Sequence, residues 1–354
     1  MHNRDSLLGK IVSILLGLLV ITTVWNARTP IASATNAMRP QEETKQDPFL
    51  ARRHLYEEIG ALVHIPWYRL AAVDQYERTM TPSSKLAKPD GRLTRLSIIP
   101  PVWSGWLNPE PEDTNPVSIS LFAGIGKDAN GDGVADPTDD RDALYTIGRY
   151  IAGFGYSEDD FQIALWKYYQ NERAIHRISQ FAKIYEVFNR LDLFDNAFPL
   201  PISNLYSYKD TWGSSRSWGG FRIHEGNDLF APYGVPVRSV CYGIVETKGW
   251  NPFGGWRIGI RDLGNRYHYY AHLSGYAKDI NVGDMMTPGK VIGWVGSSGY
   301  GPPGTQGKFP PHLHYGIYRD NGRSEWAFDP YPLLKRWESS EKAQLHKPKK
   351  TPSE

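Results

Sequence analysis

Cysteine is nearly absent from this sequence of 354 residues, which has a single one, Cys241. An intramolecular disulfide framework and a thiolate zinc cluster both need several sulfur atoms, so the sequence excludes both. Any metal site must therefore be built from histidine and carboxylate ligands.

An excess of charge of one sign is also lacking, since 40 basic and 38 acidic side chains give a formal net charge of +2. No strong electrostatic field exists to drive non-specific binding, and we expect no nucleic-acid partner. The composition is that of a globular protein, with 40% hydrophobic and 22% charged residues, and the length predicts two domains.

A long hydrophobic run occurs near the N-terminus, where an apolar segment from Ile11 to Trp25 follows the basic residues Arg4 and Lys10. This order is typical of a secretory signal or an N-terminal membrane anchor. A small-residue cleavage site at Ala32 to Ala34 keeps both alternatives open. We therefore expect residues 1–37 to export the chain to the extracellular space or cell wall, or to anchor it to the outer face of the cytoplasmic membrane, with no other membrane contact.

The rest of the sequence divides by its hydrophobic pattern. Apolar residues recur at helical spacing in Leu55 to Met80 and in Asp139 to Arg190. From Ile223 onward, short β-branched or aromatic runs alternate with Gly and Pro turns, which indicates antiparallel β structure. The predicted fold class is α+β in two domains, with a linker at 38–50, a mainly helical domain at 51–198, a β-rich domain at 199–337 and a charged tail at 338–354.

Residues with metal-binding side chains cluster in the β-rich region. His312 and His314 are two apart, so on a strand they lie on the same face. His224 and Asp228 are four apart, and a bend at Gly226 can bring both onto one centre. Two histidines and one aspartate leave a fourth position open on a tetrahedral zinc ion, which is the catalytic arrangement. The full set is His224, Asp228, His272, His312 and His314.

These residues resemble the signatures of the LytM and lysostaphin type of zinc peptidase, peptidase family M23. His224 and Asp228 match an H-x-x-x-D motif, His272 matches the central histidine, and His312 and His314 match H-x-H. The similarity covers about residues 221–329. It implies a zinc-dependent endopeptidase that hydrolyses peptide bonds in the stems or cross-links of peptidoglycan, outside the cytoplasm.

The resemblance also implies a role for each residue. His224, Asp228 and His314 would hold zinc, whereas His312 and His272 would act on the substrate. We assign His312 as the general base and His272 as the group that stabilises the oxyanion, with an exchange of these two roles left open. The bond that is cut and the oligomeric state are not fixed by the sequence.

A second resemblance lies in the first half, from about Leu55 to Phe188. The run from Ile65 to Glu77 is similar to the catalytic helix of lysozyme-like lytic transglycosylases, and Glu77 falls where that family keeps its acid. Arg78 replaces the usual serine, and we expect it to favour the ionised form of Glu77. We therefore favour glycan binding over glycan cleavage for this domain.

The loop from Asp128 to Asp139 follows the spacing of an EF-hand calcium site, although position 12 is Asp rather than Glu and Pro137 intrudes. Structural calcium is the interpretation, and an ordinary Asx-rich turn is the alternative. The candidate calcium ligands are Asp128, Asn130, Asp132, Val134, Asp136 and Asp139.

The leading hypothesis is therefore an exported zinc endopeptidase of peptidoglycan. One alternative is a bifunctional enzyme that also cuts the glycan strand through Glu77. Another is a non-catalytic scaffold that binds peptidoglycan through the same fold.

Overall fold

The computed structural model describes residues 47–81, 91–218 and 220–345. The predicted signal or anchor at 1–37 lies outside these residues, as do most of the predicted linker and the end of the predicted tail. Among the described residues, no helix is long and apolar enough to span a bilayer.

The first half of the described chain is helical, as the spacing of its apolar residues predicts. The helical pattern over Leu55 to Met80 is divided into two helices, because Pro66 lacks an N–H and disfavours a helical residue before it. The left-handed conformation of His64 ends the first of them. The helices are α1 Pro48–Val63, α2 Trp67–Met80, α3 Pro100–Ser104, α4 Pro116–Leu121, α5 Asp140–Ala152, α6 Glu158–Tyr169 and α7 Glu172–Phe188.

Helix α1 begins inside the segment predicted as a linker. The Asp47 side chain accepts a hydrogen bond from the Phe49 amide, and Pro48 occupies the first turn, where a missing N–H costs nothing. The linker therefore ends before Pro48 rather than at residue 50.

Helix α2 lies at the centre of the helical part and packs against α1 and α7. Its Asp74 is fully buried. Arg52 and Arg78 form ion pairs with this carboxylate at 3.4 and 2.7 Å, which satisfies a charge that would otherwise be costly to bury.

The second half is an antiparallel sheet, also as predicted. A central path runs in the order β1-β4-β11-β8-β7-β6-β9; β10 pairs with β5 and β8, and β12 pairs with β11. The short strands β2 and β3 pair separately. The strands are β1 Ser207–Tyr208, β2 Ser215–Arg216, β3 Arg222–Ile223, β4 Asn227–Phe230, β5 Pro236–Arg238, β6 Gly243–Asn251, β7 Gly255–Arg261, β8 Arg266–Tyr276, β9 Met285–Met286, β10 Val291–Val295, β11 His312–Asp320 and β12 Glu325–Ala327.

Strand β11 separates the core from the site. Leu313, Tyr315 and Ile317 are fully buried on one face. Because side chains alternate along a strand, His312 and His314 lie on the other face. The period-two pattern thus directs both histidines away from the core.

Side chains of α2 and α7 hold the helices against the sheet. Arg177 of α7 forms ion pairs with Glu246 of β6 and with Asp320 of β11, the latter at 3.2 Å. The Gln75 side chain donates a hydrogen bond of 2.7 Å to the Leu263 carbonyl. The helical part and the sheet therefore bury polar groups against each other.

The charged stretch from Glu338, predicted as a solvated tail, is helical as far as Leu345. It belongs to α8, Tyr331–Leu345, and Glu338 is buried. The Glu338 carboxylate accepts hydrogen bonds from Tyr206 and Tyr208 at 2.8 and 2.6 Å. These buried contacts, together with the ion pair between Glu341 and Arg238, fix one face of α8 against the protein, while Lys335 and Arg336 are exposed.

Candidate active site

The sheet register brings three of the predicted residues to one point. Asp228 on β4 faces His314 on β11, and His224 lies just before β4. Asp228 Oδ1 lies 3.1 Å from both His224 Nε2 and His314 Nδ1, and the two nitrogens are 2.8 Å apart. Ligand atoms about 2.0 to 2.2 Å from a tetrahedral zinc ion are spaced only slightly wider than this. The three side chains therefore fit a zinc ion with little movement.

Neighbouring groups orient these three side chains. His224 Nδ1 donates to the Thr211 carbonyl at 2.7 Å, which leaves Nε2 free to bind metal. Arg216 donates to Asp228 Oδ2 at 2.6 Å, so that Oδ1 faces the histidines. Sequence reasoning did not identify Thr211 or Arg216, since neither belongs to a recognisable motif.

Gly226 is required for a packing reason. A Cβ at this position would lie 2.6 Å from His314 Cε1 and 2.7 Å from the Tyr315 carbonyl oxygen. The ring of His314 therefore packs directly on the Gly226 backbone. The sequence predicted a bend here, and the structure adds a close approach.

The two remaining histidines lie beside this cluster with a free nitrogen each. His312 Nδ1 donates to the Pro310 carbonyl and His272 Nδ1 to the Ser298 carbonyl, both at 2.8 Å. Their Nε2 atoms are left as acceptors. The His272 and His312 ring centroids are 4.8 Å apart, and His312 Nε2 lies 3.6 Å from Asp228 Oδ1.

A β-bulge places His272 in the site. Strict alternation would turn His272 to the core face of β8, where Tyr270 is fully buried. The register between β7 and β8 shifts at this point, and His272 has a left-handed φ of 63°. The bulge turns the imidazole towards the cluster, at a strain cost of about 1 to 3 kcal/mol that functional sites commonly carry.

Burial and charge set the protonation of these groups. Burial, together with nearby His312 and His314, lowers the pKa of His272 well below its usual value. Burial also lowers the pKa of His312, although Asp228 acts in the opposite direction. Burial alone would raise the pKa of Asp228, but hydrogen bonds with His224 and His314 hold it far below its usual range. Burial thus favours the neutral imidazole at His272 and His312, and the neighbouring histidines favour the carboxylate form of Asp228.

The cluster opens into a groove of about 720 Å³. Its walls are largely aromatic, and three arginines also line it, namely Arg216, Arg222 and Arg257. An extended peptide can therefore reach the histidines between aromatic faces and cationic groups. The aromatic lining residues are Phe230, Phe253, Tyr267, Tyr269, Tyr300, Phe309 and Tyr318.

Glu77 lies in the helical part and does not line this groove. Tyr169 donates a hydrogen bond of 2.6 Å to its carboxyl group. Burial raises the pKa of Glu77 to about 7, against the opposing effect of the Tyr169 bond. Arg78 bonds to Asp74 instead, so the expectation that Arg78 keeps Glu77 ionised is wrong.

The predicted calcium loop does not gather its carboxylates. Within the described residues, no three acidic side chains of this loop converge as metal ligands. Asp139 instead caps α5 by accepting from the amides of Arg141 and Asp142, and Asp128 accepts from the amides of Gly131 and Gly133. The loop is therefore built from Asx turns, and the structure gives calcium no support.

A second group of metal-binding side chains is buried in the sheet at Cys241, Asp262 and His268. Its polar atoms already have partners: Arg266 donates to Asp262 at 2.7 Å, and His268 contacts Asp262 and Tyr315. This group is a hydrogen-bonded part of the core.

Comparison with known proteins identifies the family. The model of peptidase family M23 matches residues 222–329. The chain is 54% identical over 308 residues to the L-Ala--D-Glu endopeptidase of Bacillus subtilis (strain 168), which covers 86% of this chain and 94% of that protein. It is 37% identical over 115 residues to lysostaphin of Staphylococcus staphylolyticus, covering 32% and 22% of the two chains. The solved catalytic domain of lysostaphin from Staphylococcus simulans is 32% identical, covers 37% of this chain and 92% of that one, and has a TM-score of 0.30.

The fold and the site define a metallopeptidase. Because its similarity to the Bacillus subtilis protein extends over most of both sequences, the chain belongs to peptidase family M23, whose members are zinc metallopeptidases. It is a metalloendopeptidase that acts on peptidoglycan. The family predicted from the sequence is confirmed, whereas the lysozyme-like interpretation of residues 51–198 stays a prediction.

Proposed function

We propose that this enzyme hydrolyses the bond between L-alanine and D-glutamate in the stem peptides of peptidoglycan. The observation that carries the proposal is the 54% identity to an L-Ala--D-Glu endopeptidase along 94% of that protein's length. The intact set of site residues and the open groove support it.

The metal in this proposal is zinc, held by His224, Asp228 and His314. Bound zinc would supply a water of lowered pKa and would polarise the carbonyl of the scissile bond. Asp228 can ligate through Oδ1 because Arg216 engages its other oxygen. Thr211 holds His224 in the tautomer that leaves Nε2 unprotonated.

His312 is the proposed general base. Its Nε2 is an acceptor and lies nearest to the ligand carboxylate, so it can take a proton from water and later give it to the leaving amine. His272 would stabilise an oxyanion only when its Nε2 carries a hydrogen; burial lowers the pKa of this imidazole well below its usual value, and the Ser298 carbonyl at Nδ1 acts in the opposite direction.

Digestion of purified peptidoglycan by the full-length enzyme, followed by mass spectrometry, tests the proposal. We expect fragments that end in L-alanine and released peptides that begin with D-glutamate. The matched control is His314→Ala, which should produce neither. New ends confined to cross-links would overturn the proposed bond.

A second candidate function is cleavage of the glycan strand by Glu77. The observation in its favour is the pKa of about 7, which lets a carboxyl group act as a proton donor near neutral pH. In this proposal residues 51–198 form a glycan-binding domain next to a peptidase domain at 199–337. New reducing or anhydro sugar ends that vanish in Glu77→Gln would support cleavage, whereas their absence in wild type would leave glycan binding alone.

We also infer that the enzyme meets its substrate outside the cytoplasm, where peptidoglycan is located. The apolar segment from Ile11 to Trp25 supports export by a signal or an anchor. Detection of the chain in the medium or in the membrane fraction separates these two alternatives.

A further inference from the structure

Two of the three arginines in the groove have no acidic partner. Arg216 is engaged by Asp228. Within the described residues, neither Arg222 nor Arg257 forms an ion pair. Two cationic groups beside a peptide-cleaving site are therefore available to a substrate carboxylate.

Arg257 is the better placed of the two. It lies on β7 between β6 and β8, two residues before Gly259, which pairs with Tyr269. Its guanidinium carbon is 6.0 Å from the centroid of the Tyr269 ring, and that ring centroid is 5.9 Å from the ring of His314. A central strand thus carries this cation on the same face as the metal-binding residues.

The contacts of Arg257 leave hydrogen-bonding capacity unused. Its Nε is buried and has no hydrogen-bond partner. Glu325, an acid that also lines the groove, is already engaged by Arg261 and Arg177. The charge of Arg257 is therefore not neutralised from within the groove.

Arg222 lies on a shorter and less extensively paired strand than Arg257. It lies on the two-residue strand β3, whose described pairing is with the equally short β2. It stacks on Phe253 and Tyr300 at 5.0 and 6.0 Å, and Phe253 is exposed. This residue belongs to the rim of the groove, where a solvated cation contributes less to specific recognition.

The proposed substrate supplies a matching anion. Glutamate has two carboxyl groups, and only one of them can continue the peptide chain. The other stays as a carboxylate on the residue that follows the scissile bond, unless it is modified. A peptide made of uncharged residues offers no such group.

We propose that Arg257 binds this free carboxylate of the D-glutamyl residue and thereby selects an acidic stem peptide over its neutral counterpart. The inference rests on the proposed function, since it takes the L-Ala–D-Glu bond as the one that is cut. The planar guanidinium offers two parallel donors to a carboxylate, a geometry that lysine cannot reproduce.

The test uses the full-length zinc enzyme and two synthetic peptides. Both contain the L-Ala–D-Glu bond; one has the free carboxylate and the other has the carboxamide at the same position. The measured quantity is the ratio of kcat/KM for acid over amide, in wild type, Arg257→Gln, Arg257→Lys and Arg222→Gln. Arg319→Gln is the matched control, because it removes the same charge from an exposed position on β11 outside the groove.

We expect wild type and Arg319→Gln to prefer the acid about 10- to 100-fold. The ratio should fall close to one in Arg257→Gln and take an intermediate value in Arg257→Lys. Equal losses on both peptides in Arg257→Gln would indicate a merely structural role and overturn the inference. So would a wild type that does not discriminate, or selectivity that is lost with Arg222→Gln instead. If wild type cuts neither peptide but cleaves purified wall at another bond, the assignment of the L-Ala–D-Glu bond as the scissile bond would be overturned.

Discussion

Asp228 and His314 face each other across β4 and β11, with Oδ1 and Nδ1 3.1 Å apart. The backbone pairing of these two strands fixes both side chains on one face of the sheet, and His224 joins them from the preceding turn. Folding of the sheet therefore gathers the three proposed ligands, and metal binding by them would require little further ordering.

Loss of a ligand and loss of a proton-transfer group should have different effects. His314→Ala removes one of three proposed protein ligands, so it should lower both zinc content and peptide release. His312→Ala should keep its zinc and lose about 100- to 10,000-fold in kcat, because the defect then lies in proton transfer. Zinc content by elemental analysis and turnover on one peptide distinguish them. Loss of metal in His312→Ala would make His312 a ligand.

Arg216 should influence metal affinity without touching the metal. Arg216→Ala frees Asp228 Oδ2 and removes the bond that orients the carboxylate, and groups of this kind typically contribute 10- to 100-fold to metal affinity. Competition with a chelator measures the effect. Arg222→Ala is the matched control, since Arg222 lines the same groove and does not contact Asp228. An equal change in both variants would attribute the effect to general charge.

Four of the five site positions could be predicted because their spacing is local, whereas His272 was identified only through the family resemblance. His312 and His314 needed only the period of a strand, and His224 and Asp228 needed a bend at Gly226. The ion pair between Arg78 and Asp74 could also have been predicted from the sequence, because Asp74 lies four residues earlier on the same helix and opposite charges at this spacing commonly pair.

Other features depend on tertiary structure. Arg216 meets Asp228 only because a separate two-stranded pair folds over the end of β4. His272 breaks the alternation of β8 through a bulge that no residue type in Tyr270 to Leu273 announces. The Glu338 side chain is buried against Tyr206 and Tyr208, which lie more than a hundred residues earlier in the sequence. The charged composition of this stretch alone therefore predicted a solvated tail where the structure has a helix.

Gly226 provides a test of packing around the metal ligands. In Gly226→Ala, the new Cβ would lie 2.6 Å from His314 Cε1, so the imidazole must shift from its present position beside Asp228. We expect weaker zinc binding and reduced turnover, with recovery of activity at high zinc concentration. Gly275→Ala is the control, because a Cβ there meets no atom within 4 Å. Full metal affinity in Gly226→Ala would show that the ring position is not critical.

Glu77 should make the free energy of unfolding decrease as the pH rises, which is opposite to the usual effect of a carboxyl group. An acid whose folded pKa is raised to about 7 keeps its proton in the folded state while the unfolded chain, with the usual pKa of about 4.3, releases it. The unfolded state is thus favoured increasingly from about pH 4 to 7, and the penalty is constant above that.

Glu77→Gln removes this penalty and retains an acceptor for Tyr169. The variant should therefore match wild type near pH 4 and exceed its free energy of unfolding by up to about 3.5 kcal/mol at pH 8. Urea unfolding at both pH values measures the difference, and Glu110→Gln, at an exposed position, should show no such trend. A gain of equal size at pH 4 and pH 8 would mean that Glu77 is ionised in the folded protein. The proton it needs in order to act on a glycosidic oxygen would then be absent, and glycan cleavage by this residue would have to be abandoned.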